Sequence, residues 1–305
     1  MPITSLGLAL FWLLFTPDPA WAWGPGTHVF LGNAVLNSLF LLPPAVRVLL
    51  SAYPTDFLYG SVAADISLAK KYVPEGRHCH NWHIGEEIFA TADTDRLRAV
   101  GLGYLAHLAA DTVAHNTFVP RQLLLTSATK ALGHSYWEHR MDIQLGERST
   151  AIAREIVMSH DHSAADALFD RVLSATLFSF QTNRRIFRGM IRFQDNVRWH
   201  SVFGNVIAKS RWALADTAVA GYVERSFDYV VDYLRRRDGA IAAGLDPVGE
   251  HNLSISKKIR RMALREGKRS PVVLAELAND FFPLPEIPFG YWGQRGRPDG
   301  AEMQG

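Results

Sequence analysis

The sequence predicts an all-α fold, on three observations. Apolar residues recur at three- and four-residue spacing along nearly every segment after Trp23. Alternating strand patterns flanked by Asn-Gly or Asp-Gly turns are missing. At 305 residues and 48% hydrophobic, the chain can bury a full core in one large helical domain, or in two if the part after about residue 175 is semi-separate.

The first 22 residues read as a targeting segment. Leu6–Phe15 is an apolar run of ten residues, too short to span a bilayer but suited to a signal-peptide core. Pro17 and Pro19 interrupt it, and Ala20-Trp21-Ala22 supplies the small residues a signal peptidase needs. Cleavage would leave Trp23 as the new N-terminus and implies export, to the periplasm or the medium. The n-region carries no Lys or Arg. No later stretch holds 18 uncharged apolar residues, so the mature protein is expected to be soluble or peripheral to a membrane.

Helical periodicity then runs through Val29–Phe40, restarts at Pro43-Pro44 to about Tyr53, and continues over Ile84–Ala92 and Asp95–Asn116. Thr94 or Asp95 caps the last of these. His134–Leu145, Thr150–Ser159, Ala164–Phe178, Asn205–Arg237, Val248–Glu266 and Pro271–Phe281 complete the helices. No fixed-period repeat is present. Phe282–Gly305 is Pro/Gly-rich without helical period, as in a surface strap or tail. The domain reading is a signal peptide over 1–22, a helical domain over 23–281 and a tail over 282–305.

Charge excludes little by itself. With 32 basic and 30 acidic residues there is no global attraction to nucleic acid or acidic membrane. The single cysteine, Cys79, excludes an internal disulfide, and an exported chain without one needs another staple, for which a metal is a candidate.

The histidines carry the chemistry. Eight of the 12 fall between His28 and His139, interleaved with carboxylates, and imidazole with carboxylate suits Zn²⁺. In Gly103–Asn116, positions His107, Asp111 and His115 follow at four-residue steps and share one helix face. Small and apolar neighbours there imply burial, and a buried carboxylate needs a partner: either metals that Asp111 bridges, or histidines in a metal-free polar network. His134 and Glu138 form a second pair at the same spacing, with His139, Asp142 and Glu147 extending the polar face. Arg77–His83 offers His78, His80 and His83, of which a loop can aim one at an ion; Cys79 is either a further ligand or packing. Asp65, after Ala63-Ala64, is either a helix cap or a carboxylate aimed at metals. Gly24, Pro25 and Gly26 let the chain fold back so that the Trp23 amine and carbonyl and His28 could converge on one ion.

The ordered set of Trp23, His28, Asp65, His80, His107-x-x-x-Asp111, His115 and His134-x-x-x-Glu138 resembles the bacterial zinc-dependent phospholipase C family, within an all-helical superfamily that also holds zinc-dependent single-strand nucleases. The resemblance covers about Trp23–Leu145 and implies up to three zinc ions. It assigns Trp23, His28 and Asp111 to one ion, with Asp111 bridging to a second held by His80 and His107. His115, His134 and Glu138 would hold a third. Its His-Asn-Trp context favours His80, and Asp65 falls where the family has its water-activating carboxylate. Glu138 matches the lipase branch, whereas the short Trp23-to-His28 spacing is closer to the nuclease branch. The expected activity is phosphodiester hydrolysis, as a phospholipase C acting on a phospholipid substrate. A single-strand nuclease is the alternative, and a non-catalytic helical protein stapled by zinc is another. Nucleic acid is therefore the less favoured partner. Asn183–Phe193 combines arginines with aromatics and reads as a solvated helix face, a lipid-surface contact or a nucleic-acid track. The His160–His162 run reads as a polar helix junction without ligand role. Oligomeric state leaves no sequence signal.

Overall fold

A computed structural model describes residues 23–67, 77–126, 133–173, 179–194, 210, 212 and 214–295, with the side chains of 133–135 and 190–194 excepted. Among the described residues the fold is all-α, with no strand, and no helix is long and apolar enough to cross a membrane. Residues 1–22, which carry the export expectation, lie outside the described residues.

Helix α1 spans Pro25–Leu36 and starts four residues earlier than the apolar period indicates. Pro25 at its first turn has the fixed φ of a helix start, and Asp142 accepts the Gly26 N–H (3.1 Å), the Thr27 N–H (2.8 Å) and the Thr27 hydroxyl (2.6 Å). The expected fold-back loop at Gly24–Gly26 is thus a capped helix start. A Cβ at Gly24 would come within 2.2 Å of Asp142, so glycine is required for that close approach.

Pro44 opens α2 (Pro44–Ala52), and Pro54 opens α3 (Pro54–Ala63), a helix absent from the segments the sequence period picks out. A single 3₁₀ turn, Ala64–Ile66, ends α3 and carries Asp65. Helices α4 (Trp82–Thr91) and α5 (Asp95–Val113) follow, and Thr94 caps α5 by accepting the Leu97 N–H. The chain then winds into a π-helical turn, Ala114–Phe118, before α6 (Val119–Leu125). Next come α7 (Gly133–Leu145), α8 (Glu147–Ser159), α9 (Ser163–Val172), α10 (Phe180–Gln194), α11 (Asp216–Arg236), α12 (Glu250–Arg265), α13 (Pro271–Phe281) and the short α14 (Tyr291–Gln294).

Helix α5 is the central element: it is buried almost throughout from Leu97, and α3, α4 and α11 all pack on it. The α3–α5 crossing is so close that a Cβ at Gly60 would lie 2.0 Å from the Val100 carbonyl oxygen, and one at Gly103 2.0 Å from that of Phe57. Without those two glycines the backbones could not approach, and Asp65 beyond α3 would not reach His107 on α5. One apolar core runs from Trp23 to Tyr291 and includes α11, so the segment after residue 175 is not separate. A smaller cluster of Leu124, Ala263, Leu274, Ala278 and Phe282 joins α6 to α12 and α13. The strap expected at the C-terminus lies on α11, where Asp228 accepts the Phe289 and Tyr291 N–H groups and Arg225 donates to the Pro285 carbonyl. Residues 296–305 lie outside the described set.

Candidate metal centre

Four chain segments meet around Asp111. Helix α5 supplies His107 and Asp111 one turn apart, α1 supplies His28, the turn before α4 supplies His80, and the 3₁₀ turn supplies Asp65. All five are at most 2% exposed. The Asp111 Oδ1 lies 3.3 Å from His28 Nε2, and Oδ2 lies 3.1 Å from His80 Nε2 and 3.2 Å from His107 Nε2. His80 Nε2 is also 3.5 Å from Asp65 Oδ1 and 3.0 Å from His107 Nε2. The His28 and His107 rings stack at 3.8 Å.

The contacts to Asp111 fall short of hydrogen-bond geometry, whereas the His80 and His107 Nε2 atoms lie at hydrogen-bond distance from each other. Neither Asp111 oxygen nor His28 Nε2, all fully buried, has a hydrogen-bond partner of acceptable geometry. The His107 ring shows why. Its Nδ1 lies 2.9 Å from the Ser61 carbonyl oxygen, which can only accept, so Nδ1 carries the proton and Nε2 a lone pair. That lone pair faces a carboxylate oxygen and a second imidazole nitrogen. Lone pairs converging in a dry interior repel one another unless a cation lies between them. Tetrahedral zinc with bonds of about 2.0–2.1 Å sets its donors roughly 3.3 Å apart, and the observed separations bracket that value. The donor set, N and O with a carbonyl behind a ligand ring, therefore fits Zn²⁺.

Electrostatics agree. Burial holds the His28 imidazole below its ordinary 6.5, with His107 adding to it, so the ring is neutral and able to ligate at neutral pH. For Asp111, burial works upward, but the imidazoles of His107, His28 and His80 outweigh it and hold the carboxyl well below the usual range. The carboxyl is therefore ionised at neutral pH. Further out, burial pushes Asp142 up to about 6 against its hydrogen bonds from Thr27 and Gly26.

The remaining candidates are placed as follows. Trp23 is fully buried; its indole Nε1–H donates to the Ala110 carbonyl at 3.0 Å and its ring lies against Phe118, which brings the start of the described chain beside Asp111. His115 lies in the π turn, buried, its ring centroid 6.4 Å from that of His80. Glu138 is buried on α7. His134 belongs to α7, but its side chain lies outside the described residues. Of the three loop histidines, His80 is in the cluster, His83 is exposed, and His78 accepts the His80 backbone N–H through Nδ1. Cys79 lies 3.3 Å from His80 Nδ1 through Sγ and donates to the Ala64 carbonyl.

Two further stretches make internal contacts. In α10, Arg184 pairs with Asp166 and Arg188 donates to the Met158 carbonyl, while Asn183 and Phe187 are buried. His162 joins α8 to α9, with its ring stacked on Tyr59 at 3.5 Å and Nε2 donating to the Ile156 carbonyl.

Sequence reasoning did not find the Ser61 carbonyl behind His107, the thiol behind His80, or the cap made by Asp142. A backbone carbonyl leaves no trace in residue identity. Asp142 did leave one: it follows Glu138 by four residues on α7, so both face the same side.

A family model described as zinc dependent phospholipase C matches residues 27–183, which include every described residue of the Asp111 cluster and also His115 and Glu138. Neither a curated protein nor a solved structure matches the chain.

Proposed function

The chain belongs to the zinc-dependent phospholipase C family, and from that premise we propose that it hydrolyses glycerophospholipids on the glycerol side of the phosphate. The observation that carries this reading is the convergence of three imidazole Nε2 atoms on the two oxygens of one buried, ionised carboxylate, Asp111.

His28, His80, His107 and Asp111 would hold zinc. On the family pattern Trp23, once residues 1–22 are removed, would also hold zinc, as would His115, His134 and Glu138. Zinc in such a site acidifies a bound water and offsets the charge of a phosphodiester. The protein's own contribution is positional. Asp111 keeps its negative charge at the centre, Ser61 fixes the tautomer of His107, and the burial of His28, His80, His107 and Asp111 excludes bulk water from between them. Asp65, held in the turn after α3, would take the proton of the attacking water as general base. The P–O bond to the glycerol oxygen breaks as the new P–O bond forms, and the glycerol oxygen takes up a proton in balance with the one passed to Asp65. The products are a diacylglycerol and a phosphorylated head group.

The same reading takes residues 1–22 as a cleaved signal peptide, making the enzyme periplasmic or secreted and its membrane contact peripheral. The arginines of α10 that are used internally weigh against a nucleic-acid track along that helix.

The test is a side-by-side assay of the zinc-loaded exported protein on phosphatidylcholine and on single-stranded DNA. Phosphorylcholine release without nucleotide release is the expected result. Cleavage of DNA alone would replace this reading by the nuclease one, and inactivity on every phosphodiester would leave the metals a structural role. N-terminal sequencing of the same preparation should return Trp23 first.

A further inference from the structure

Beyond the residues matched by the family, one loop reaches back to the turn that follows α5. The chain between α11 and α12 passes over the π turn that carries His115. The His115 Nδ1 makes a short hydrogen bond with the Pro247 carbonyl. A carbonyl oxygen only accepts, so Nδ1 is the protonated nitrogen and Nε2 keeps the lone pair. This is the same tautomer that Ser61 imposes on His107.

Two further features hold the loop against that turn. Gly249 has φ +61°, and a Cβ on it would lie 2.5 Å from His115 Cβ and 2.6 Å from the His115 carbonyl oxygen. Asn116, the next residue of the π turn, donates to the Asp246 carbonyl at 2.7 Å, and Asn252 on α12 donates to the Asn116 carbonyl at 3.2 Å and its side-chain oxygen at 3.0 Å. The loop itself is tied down on both sides. Trp82 of α4 donates to the Leu245 carbonyl, and the Asp246 carboxylate accepts the Val248 and Glu250 N–H groups. A π turn is an irregular winding that needs outside support, and such turns concentrate at functional sites.

We propose that the segment from Leu245 to Asn252 is the positioning element for His115 as a zinc ligand, with Gly249 and Asn252 as its positioning residues. The inference rests on the assignment of His115 to a metal in the proposed function. It implies that the matched residues alone do not make a complete metal centre.

The experiment is a double-mutant cycle on the full-length mature protein, read as zinc per chain and as zinc affinity by chelator competition rather than as lipid hydrolysis. His115→Ala should lose about one equivalent of zinc. Asn252→Ala should weaken the same equivalent by about tenfold, the scale of lost support behind a ligand, and leave the other zinc bound. In the double variant Asn252→Ala should add no further loss, because both changes act on one ion. Gly249→Ala should behave as Asn252→Ala does, and if it fails to fold the Asn252 arm decides alone. Unchanged zinc affinity in Asn252→Ala, or a loss that adds to that of His115→Ala, would overturn the inference. Full zinc retention in His115→Ala would remove its premise and overturn it with the assignment of His115 to zinc, whatever the enzyme does to phospholipid.

Discussion

His107 Nε2 lies 3.2 Å from Oδ2 of Asp111, one helical turn away, while Nδ1 of the same ring is committed to the Ser61 carbonyl. The ring nitrogen and the carboxylate oxygen therefore stand as two donors that one cation could share.

Asp111→Asn should accordingly hold at least one zinc fewer per chain than the wild type. Remaining zinc at the His28 and His80 side should weaken by more than about 100-fold, beyond the range seen for supporting residues alone. Stripping metal from the wild type should lower its melting temperature, since a cation at 100 times its dissociation constant contributes about 2.7 kcal/mol. The Asn variant should respond less to the same chelator. Differential scanning with and without chelator, plus metal analysis, reads both; equal chelator response in the two proteins would refute its role as a zinc ligand.

Asp65→Asn separates base from ligand. The amide keeps the shape of the side chain beside His80 Nε2, so zinc content should stay at the wild-type level while turnover falls by about 10²–10⁴, the range for a general base. Wild-type turnover would exclude Asp65 from the reaction. Loss of zinc instead would make it a metal ligand.

Gly103→Ala probes the packing that assembles the site. Its Cβ would meet the Phe57 carbonyl oxygen at 2.0 Å, a backbone atom that cannot swing away. Overpacking commonly costs about 1–3 kcal/mol, and a clash with backbone belongs at the upper end. Urea unfolding of the metal-free protein should show a loss near 3 kcal/mol, and a change within 0.5 kcal/mol, on the order of a surface substitution, would mean that α3 and α5 do not cross this closely.

His162 predicts a pH dependence of stability. Burial, with Arg184 adding to it, depresses its pKa from 6.5 to about 4, against the hydrogen bond to Ile156 that favours the charged form. Between those two values the unfolded chain binds the proton and the folded one does not, so stability is present above pH 6.5 and declines as pH falls toward 4. His162→Phe keeps a ring for Tyr59 and removes the titration. Its stability in metal-free form should fall less steeply with acid, by up to about 1.4 kcal/mol per pH unit. Parallel curves for the two proteins would contradict a buried neutral His162.

Several features of the centre were legible because their causes are local. The four-residue step from His107 to Asp111 follows from helical geometry alone. Thr94 caps α5 because a short hydroxyl side chain before an apolar period can accept an orphan N–H. Other features had no local cause. The π turn at Ala114–Phe118 follows no period in its own residues; it is met by carbonyl and amide groups more than 100 residues away. The start of α1 at Pro25 depends on Asp142, 116 residues along the chain from Gly26. Period-based reading placed it too late for that reason.

The amino-acid sequence by itself determined that the chain is helical and that imidazoles and carboxylates lie on buried helix faces, because side-chain spacing and apolarity act within a turn or two. Only the tertiary structure decided that Ser61 and Pro247 set the tautomers of His107 and His115, and that α3 and α5 approach closely enough for Asp65 to stand by His80. Those outcomes depend on backbone atoms and on contacts between distant segments, and neither is encoded in the identity of any one residue.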